Sequence, residues 1–536
     1  MREQVFWGWG EPGAGPTLPE HAETFLRDEL GVTGAVVDAP VALEAVRLRP
    51  PGLPDGLRRA LEAVVGADGV RDDRATRVLR CRGKSYLDLL AQRAGDCETA
   101  PDAVVRPRGH DQVQAVLGLC AEAAAAVVPF GGGTSVVGAL EAERDGFEAV
   151  VSLDLGLMDA VEAVDERSLT AVLQPGLRLP EADRALRGHG LTLAHAPQSY
   201  EWATVGGCVA TRSAGQSSTG HGRIDRNVLA VRCATPAGEL ATLGVPASGA
   251  GPALRELVVG SEGALGVITR VALRVRRIEP APRYEGWFVR SFADGCEALR
   301  TLAQAGPAPD VARLSDEAET RVGLAFARRG GPARRAGVAL ARALGYGGGC
   351  LLVLGWEGSA TAGRLRAANA LLRGAGALPA GTGLGEAWAA ARFGGPHLRD
   401  DLLDRGVLVE TLETAASWTR LEHVRDAVTV ALRGALDRPL IGCHVSHLYP
   451  TGASLYFTVL AARDADDPAA QWRRAKAAAG DAIVAAGATI THHHAVGRDH
   501  APWLPAEAGP LGHELLRAAK ERCDPAGVMN PGVLLG

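Results

Sequence analysis

PFGGGTSVVGAL, residues 129 to 140, lies between two apolar runs, Ala123 to Phe130 and Ala149 to Leu155. Three consecutive glycines beside buried strands are costly, because glycine loses the most backbone freedom on folding. They supply bare backbone with unusual dihedrals, so that successive N–H groups can turn into one concavity and hold an anion. Thr134 and Ser135 add hydroxyl donors at the same place. Two readings stand side by side, a cradle for a diphosphate and an ordinary tight turn. The stretch is not a Walker A loop, since no Lys follows, nor a GxGxxG Rossmann turn.

A chain of 536 residues is too long for one core, so two or more domains are expected. Its apolar fraction of 47% and charged fraction of 22% are those of a soluble globular protein. A net charge of −5 gives no case for a nucleic-acid partner. Only three of the 57 basic residues are lysines (Lys84, Lys476, Lys520), and Ala, Gly, Arg and Pro abound, which suggests a GC-rich bacterial genome. Nine cysteines without a CxxC pair point to a reduced compartment, hence a cytoplasmic location. The start, MREQVFWGWGEPG, shows no apolar signal region, and no run is long enough to span a membrane. The ending VLLG is not a peroxisomal address.

Residues 1 to 100 read as an extension with helical patterns at His21 to Leu30 and Gly56 to Val65 and a Trp7-Gly8-Trp9-Gly10 start read as packing. From Ala100 the pattern becomes strand (Ala103 to Val105), helix (Gln112 to Ala126), then a strand into the glycine loop. Strands follow at Val150 to Leu155 and Leu169 to Gln174, with a helix at Pro180 to His189. Pro197 to Asn227 is a long polar stretch rich in Gly, Ser and Thr, and such a loop in a compact domain is usually functional. VGSEGALGVITRVALRVRR, 259 to 277, turns through Gly260 to Gly266 into a strand. A boundary is placed after Pro280-Ala281-Pro282. Beyond it, strands at Tyr284 to Val289, Val311 to Leu314, Cys350 to Trp356, Leu440 to Leu448 and Ala453 to Ala461 alternate with helices, which suggests a sheet with helices on one face. Arg328 to Arg342 reads as a solvated helix or loop. The tail, a helix at Leu511 to Arg522 and then DPAGVMNPGVLL, is expected to dock back on the body.

The glycine loop, the 197–215 segment, SEGALGVIT, HHHAVG and the DPAGVMNPGVLL ending occur in that order, with ETAASW and the WGWG start as further matches. The combination resembles the FAD-dependent oxidoreductases of the vanillyl-alcohol oxidase (PCMH-type) fold, and more narrowly the alkyldihydroxyacetonephosphate synthases, over residues 78 to the end. The resemblance implies an α+β fold. A two-subdomain, PCMH-type FAD-binding domain is expected over 101–280, with the 1–100 extension packed on it. An α+β cap domain, an antiparallel sheet with flanking helices, is expected over 281–490, and 491–536 would return to the flavin. Pro129, Phe130, Gly131, Gly132, Gly133, Thr134 and Ser135 would hold the FAD diphosphate. Gln198, Ser199, Thr204, Gly206, Gly207, Thr211, Arg212, Ser213, Ala214, Glu262, Gly263, Ala264, Leu265, Gly266, Val267 and Ile268 would line the rest of the cofactor. The glycine loop has no His for a covalent flavin bond, so FAD is expected to be held non-covalently.

The implied reaction exchanges the acyl chain of 1-acyl-dihydroxyacetone phosphate for a long-chain alcohol, without net redox change, to give an ether-lipid precursor. Tyr456 matches the family's acid/base tyrosine; read from its own strand, SLYFTVL, it is a core aromatic. His492, His493 and His494 are expected to serve substrate contact and proton relay. On an extended segment His492 and His494 would share a face and His493 would oppose them, so no metal site is expected. Arg313 and Arg399 match the family's active-site arginines, and guanidinium suits phosphate, with Arg399 the better candidate for it. The family commonly has Arg after Cys where this chain has Cys443-His444, so His444 would replace that cation only when protonated. The alternative on the same fold is an FAD-linked dehydrogenase or oxidase of a 2-hydroxy acid or alcohol. A flavin-binding scaffold without activity has no need of Tyr456, three histidines and two arginines together. The expected partners are a small-molecule or lipid substrate, a second copy of the chain as a homodimer, and peripheral contact with a membrane.

Overall fold

The computed structural model describes residues 3–279, 282–326, 341–358 and 361–535. The Arg328 to Arg342 stretch, up to 340, and Pro280-Ala281 at the expected boundary lie outside the described residues.

The first sheet is built from the apolar runs that flank the glycine loop. Ala125–Phe130 and Ala149–Asp154 pair in parallel, and Ala103–Val105 lies parallel on the far side of Ala149–Asp154. Strands buried on both faces are uniformly apolar in this way, and Ala103, Val105, Val127 and Val151 are all fully buried. The crossover helix is His110–Glu122, shorter than the apolar pattern suggests. Ala124 takes a positive φ of 48°, which ends the helix and turns the chain into the next strand. A second sheet of five antiparallel strands follows, in the order Val161–Asp165, Thr170–Leu173, Val267–Arg274, Val228–Thr235, Gly238–Ala241.

The third sheet has seven antiparallel strands: Leu378–Gly381, Arg283–Val289, Cys350–Trp356, Val311–Ser315, Leu440–Tyr449, Gly452–Ala462 and Val407–Ser417. Its helical side holds the largest apolar cluster, where Phe292, Leu299, Val424, Val428, Trp472 and Ile483 pack on Leu412, Val445, Leu455 and Phe457. Along Gly452–Ala462 alternate residues therefore point away from this core, and Tyr456 is one of them. A fold of α+β class with antiparallel sheets is what the sequence implied.

The first hundred residues divide between the two bodies. Leu57, Leu61 and Val65 pack with the first sheet, and Val70–Arg71 adds an antiparallel strand to it. Leu26, Leu30, Tyr86 and Leu89 enter the core of the seven-stranded sheet. The tail returns to the first sheet: Val127 N–H donates to Val528 and Asn530 N–H to Val127, at 2.8 Å each. No helix among the described residues is long and apolar enough to cross a membrane.

Candidate active site

The glycine loop leaves the end of Ala125–Phe130 and meets two segments distant in sequence. A Cβ on Gly132 would stand 2.2 Å from the Trp202 carbonyl oxygen, and one on Gly131 would stand 2.5 Å from Thr204 Oγ1. A Cβ on Gly263 would lie 2.8 Å from the Pro129 ring. Thus the 129–135, 197–207 and 262–268 segments converge, and a side chain is excluded by backbone at Gly132 and by the Thr204 and Pro129 side chains at Gly131 and Gly263. The carbonyls of Gly132 and Ser135 are taken by Gln4 Nε2 (3.0 Å) and Lys84 N–H (2.6 Å). Among the described residues, none of the backbone N–H groups of Gly131 to Val136 has an acceptor. A row of unpaired amides in a half-buried loop is a cradle for an anionic group such as a diphosphate.

Other residues expected around the cofactor are engaged in holding these segments together. Thr204 caps the Val205–Ala210 helix through the Gly207 N–H. Arg212 donates to the Val259 carbonyl and pairs with Glu256. Thr211 Oγ1 donates to the Gly207 carbonyl, and Gln198 Nε2 reaches the Arg392 carbonyl of the other body. Ser213 Oγ lies 3.2 Å from Nε2 of His195, a buried ring whose Nδ1 has no partner among the described residues. The Glu262 carboxylate is buried and accepts the N–H groups of Val496 and Gly497. Burial raises its pKa to about 7 against those bonds.

The second half of the site stands on the open face of the seven-stranded sheet. Tyr456 lies directly across from His444 on one neighbouring strand and Glu413 on the other. The phenol stacks on the His444 imidazole at 4.9 Å between ring centres and donates to Thr411 Oγ1 at 3.0 Å. Burial pushes its pKa up to about 12, so the phenol carries its proton at neutral pH.

The three histidines do not alternate as an extended segment would. Glu413, whose side chain is fully enclosed, accepts the N–H groups of His492 (2.6 Å), His493 (3.0 Å) and His494 (2.8 Å) as well as the Thr491 hydroxyl (2.6 Å). Successive amides can point at one carboxylate only if the backbone is concave, which brings all three rings to one side. His493 and His494 face Tyr456 at 6.0 and 5.5 Å, and His492 meets His493 at 5.2 Å. Burial lowers His493 and His494 to about 4, so both imidazoles are neutral bases at neutral pH. Burial works against the Glu413 charge, but the neighbouring imidazoles and the Thr491 bond hold it well below the ordinary carboxylate range.

His444 is neutral, not a substitute cation. Its Nε2 lies 3.0 Å from an Arg313 amino group, which can only donate, so the ring proton is on Nδ1 and goes to Glu319 at 3.0 Å. Arg313 also pairs with Glu319. Arg399, on the Gly395–Asp404 helix, donates to the Lys84 carbonyl at 2.7 Å and makes no hydrogen bond to the tyrosine and histidines. The sequence reading passed over Glu319, His447, Tyr449 and Arg223, and met Glu413 only as the first residue of the ETAASW match, without a role. A register shift between Val445 and Leu448 turns His447 into the cluster, where its ring lies 5.0 Å from His492 and 5.5 Å from His493. Tyr449 OH lies 2.6 Å from His492 Nε2, and Arg223 donates to the His492 carbonyl.

Anion cradle, two-body frame and polar sheet face together define a flavoprotein of the FAD-linked oxidase class. Residues 101–244 match the family model "FAD binding domain", and 278–534 match "FAD linked oxidases, C-terminal domain". The class narrows further. The chain is 31% identical to an alkyldihydroxyacetonephosphate synthase of Dictyostelium discoideum, covering 100% of this chain and 94% of that one. A solved alkyldihydroxyacetonephosphate synthase superposes with a TM-score of 0.85 at 28% identity, covering 99% and 98% of the two chains. p-Cresol methylhydroxylase shares the fold at 16% identity, with a TM-score of 0.68 over 91% of this chain and 98% of its own. The chain belongs to the alkyldihydroxyacetonephosphate synthase family, and its cofactor is FAD.

Proposed function

We propose that the protein exchanges the acyl chain of acyl-dihydroxyacetone phosphate for a long-chain alcohol. The observation that carries this reading is the Tyr456 phenol set between His444 and the His493 and His494 rings on one polar sheet face. Bound FAD supplies an electrophilic isoalloxazine ring for an exchange without net redox change. The chain's own residues hold the cofactor and move protons. The Gly131 to Val136 amides take the diphosphate, in a non-covalent site. The Tyr456 phenol first passes its proton to the neutral His493 or His494 ring; the phenolate then takes a proton from the reacting carbon and returns it after the chains have exchanged, and the imidazolium gives its proton back to the phenolate. Arg313, fixed by Glu319 and His444, directs its remaining N–H donors toward the phosphate, with Arg399 as a second guanidinium. Its lipid substrates suit a cytoplasmic homodimer that touches a membrane surface.

The test mixes flavin-loaded protein with palmitoyl-dihydroxyacetone phosphate and hexadecanol and follows products by mass spectrometry and the flavin by absorbance. Ether product with no net flavin reduction is the expected result. Absence of ether, with bleaching of the flavin by a 2-hydroxy acid, would overturn the reading in favour of a dehydrogenase.

A further inference from the structure

Three buried or nearly buried imidazoles from two chain segments meet beside the phenol. His447, His492 and His493 each offer one ring nitrogen, and these three atoms lie within 4.8 Å of one another. His492 Nδ1 and His493 Nδ1 lie 2.9 Å apart. The outer nitrogens of two of the rings are already held. His447 Nε2 lies 3.0 Å from the Gly215 carbonyl, which can only accept, so its proton is there and its Nδ1 is an acceptor for the Ser446 or Ser454 hydroxyl, 2.8 and 3.1 Å away, a bond that a metal would replace. His492 Nε2 is held by Tyr449 OH at 2.6 Å. Inner lone pairs with anchored outer nitrogens are the arrangement that metal-ligating histidines show.

We propose that His447, His492 and His493 form a binding site for Zn²⁺, with its fourth position open. In a tetrahedron with Zn–N of about 2.1 Å, ligand nitrogens stand about 3.4 Å apart. That value lies between the 2.9 Å of the His492–His493 pair and the 4.8 Å within which all three atoms fall. Imidazole is a preferred zinc ligand, and at the His492–His493 contact, 2.9 Å between Nδ1 atoms, one ring must turn its proton to its other nitrogen for both to face a metal. Because His493 is one of the bases of the proposed reaction, bound zinc would silence the exchange reversibly. The inhibition rests on that reading; the binding does not.

The experiment uses the full flavin-loaded chain. It is equilibrated with Zn²⁺, gel-filtered and assayed for metal by mass spectrometry; in parallel Co²⁺ replaces zinc and the visible spectrum is recorded. One zinc per chain and the intense visible bands of tetrahedral Co²⁺ are expected. His447→Gln and His492→Gln, checked for retained flavin, should each weaken zinc binding by about tenfold or more, whereas Cys523→Ser should not. Substoichiometric zinc with an octahedral Co²⁺ spectrum in the wild-type protein would overturn the site, as would unchanged affinity in both histidine variants. None of these readouts uses the lipid substrates, so failure of the exchange assay leaves the result interpretable.

Discussion

Glu413→Gln tests whether one carboxylate shapes the histidine loop. Its two oxygens accept four hydrogen bonds, three from consecutive amides and one from Thr491. A glutamine with its oxygen at the Oε1 position keeps the Thr491, His493 and His494 bonds and turns its NH₂ toward the His492 N–H. One charge-assisted bond worth about 1.5–3 kcal/mol is lost, and the other three fall to neutral strength at a cost of about 0.5 kcal/mol or more each. Removing a buried charge gives part of this back. A net local cost of about 3 kcal/mol is a factor of about 10² in the opening equilibrium. Amide hydrogen exchange reads this at the same groups: the 492–494 amides should exchange about 10² faster, while the core strand Gly452–Ala462 keeps its protection. Flavin should stay bound, since the Gly131 to Val136 amides are untouched. Protection of 492–494 within about threefold of wild type would show that the loop is shaped by something other than Glu413.

Three further outcomes are expected. Gly132→Ala puts a Cβ 2.2 Å from the Trp202 carbonyl oxygen, so the loop must move; overpacking of this kind costs about 1–3 kcal/mol and FAD should dissociate about tenfold or more faster, read by flavin fluorescence on dilution. Full flavin affinity would remove the loop from the cradle. Tyr456→Phe should keep the flavin and abolish the exchange, and near-normal turnover would take the phenol out of the mechanism. For Glu262→Gln, the wild-type carboxyl is protonated in both states below about pH 4.5, and between 4.5 and its folded value of about 7 only the unfolded chain releases the proton. Wild-type stability therefore falls as pH rises through that window. The variant should gain on wild type across it, by at most about 3 kcal/mol, and hold that gain above pH 7. Urea midpoints with a pH-independent offset would refute the shift.

The strands that matter most for the cofactor were legible because they are short, apolar and bounded by glycine and proline. The same apolar continuity hid where the helix ends, since Ala123 to Ala126 suits either state and only the positive φ of Ala124 separates them. The polar stretch Pro197 to Asn227 concealed three short helices, Val205–Ala210, Ser218–His221 and Ile224–Asn227, whose turns are fixed by long-range contacts. The active-site face was harder. Its edge strand, Val407–Ser417, mixes charged and apolar residues without the alternation that announces a strand, because Glu410 and Glu413 are both buried and both hydrogen-bonded. The partners of Glu413 lie about eighty residues onward in the chain, at 491 to 494. A local rule for an extended segment therefore put His493 on the wrong side, because it had no means of including a carboxylate that bends the backbone toward itself. His447 was missed for a related reason. Three residues after His444 on a regular strand, it should face the other way, and only the register shift after Val445 brings both to the same side. Residue types near the chemistry can thus be named from sequence, while their convergence depends on two backbone irregularities. Each irregularity is held by partners on other strands, so mutating those partners should move the histidines without changing any of them.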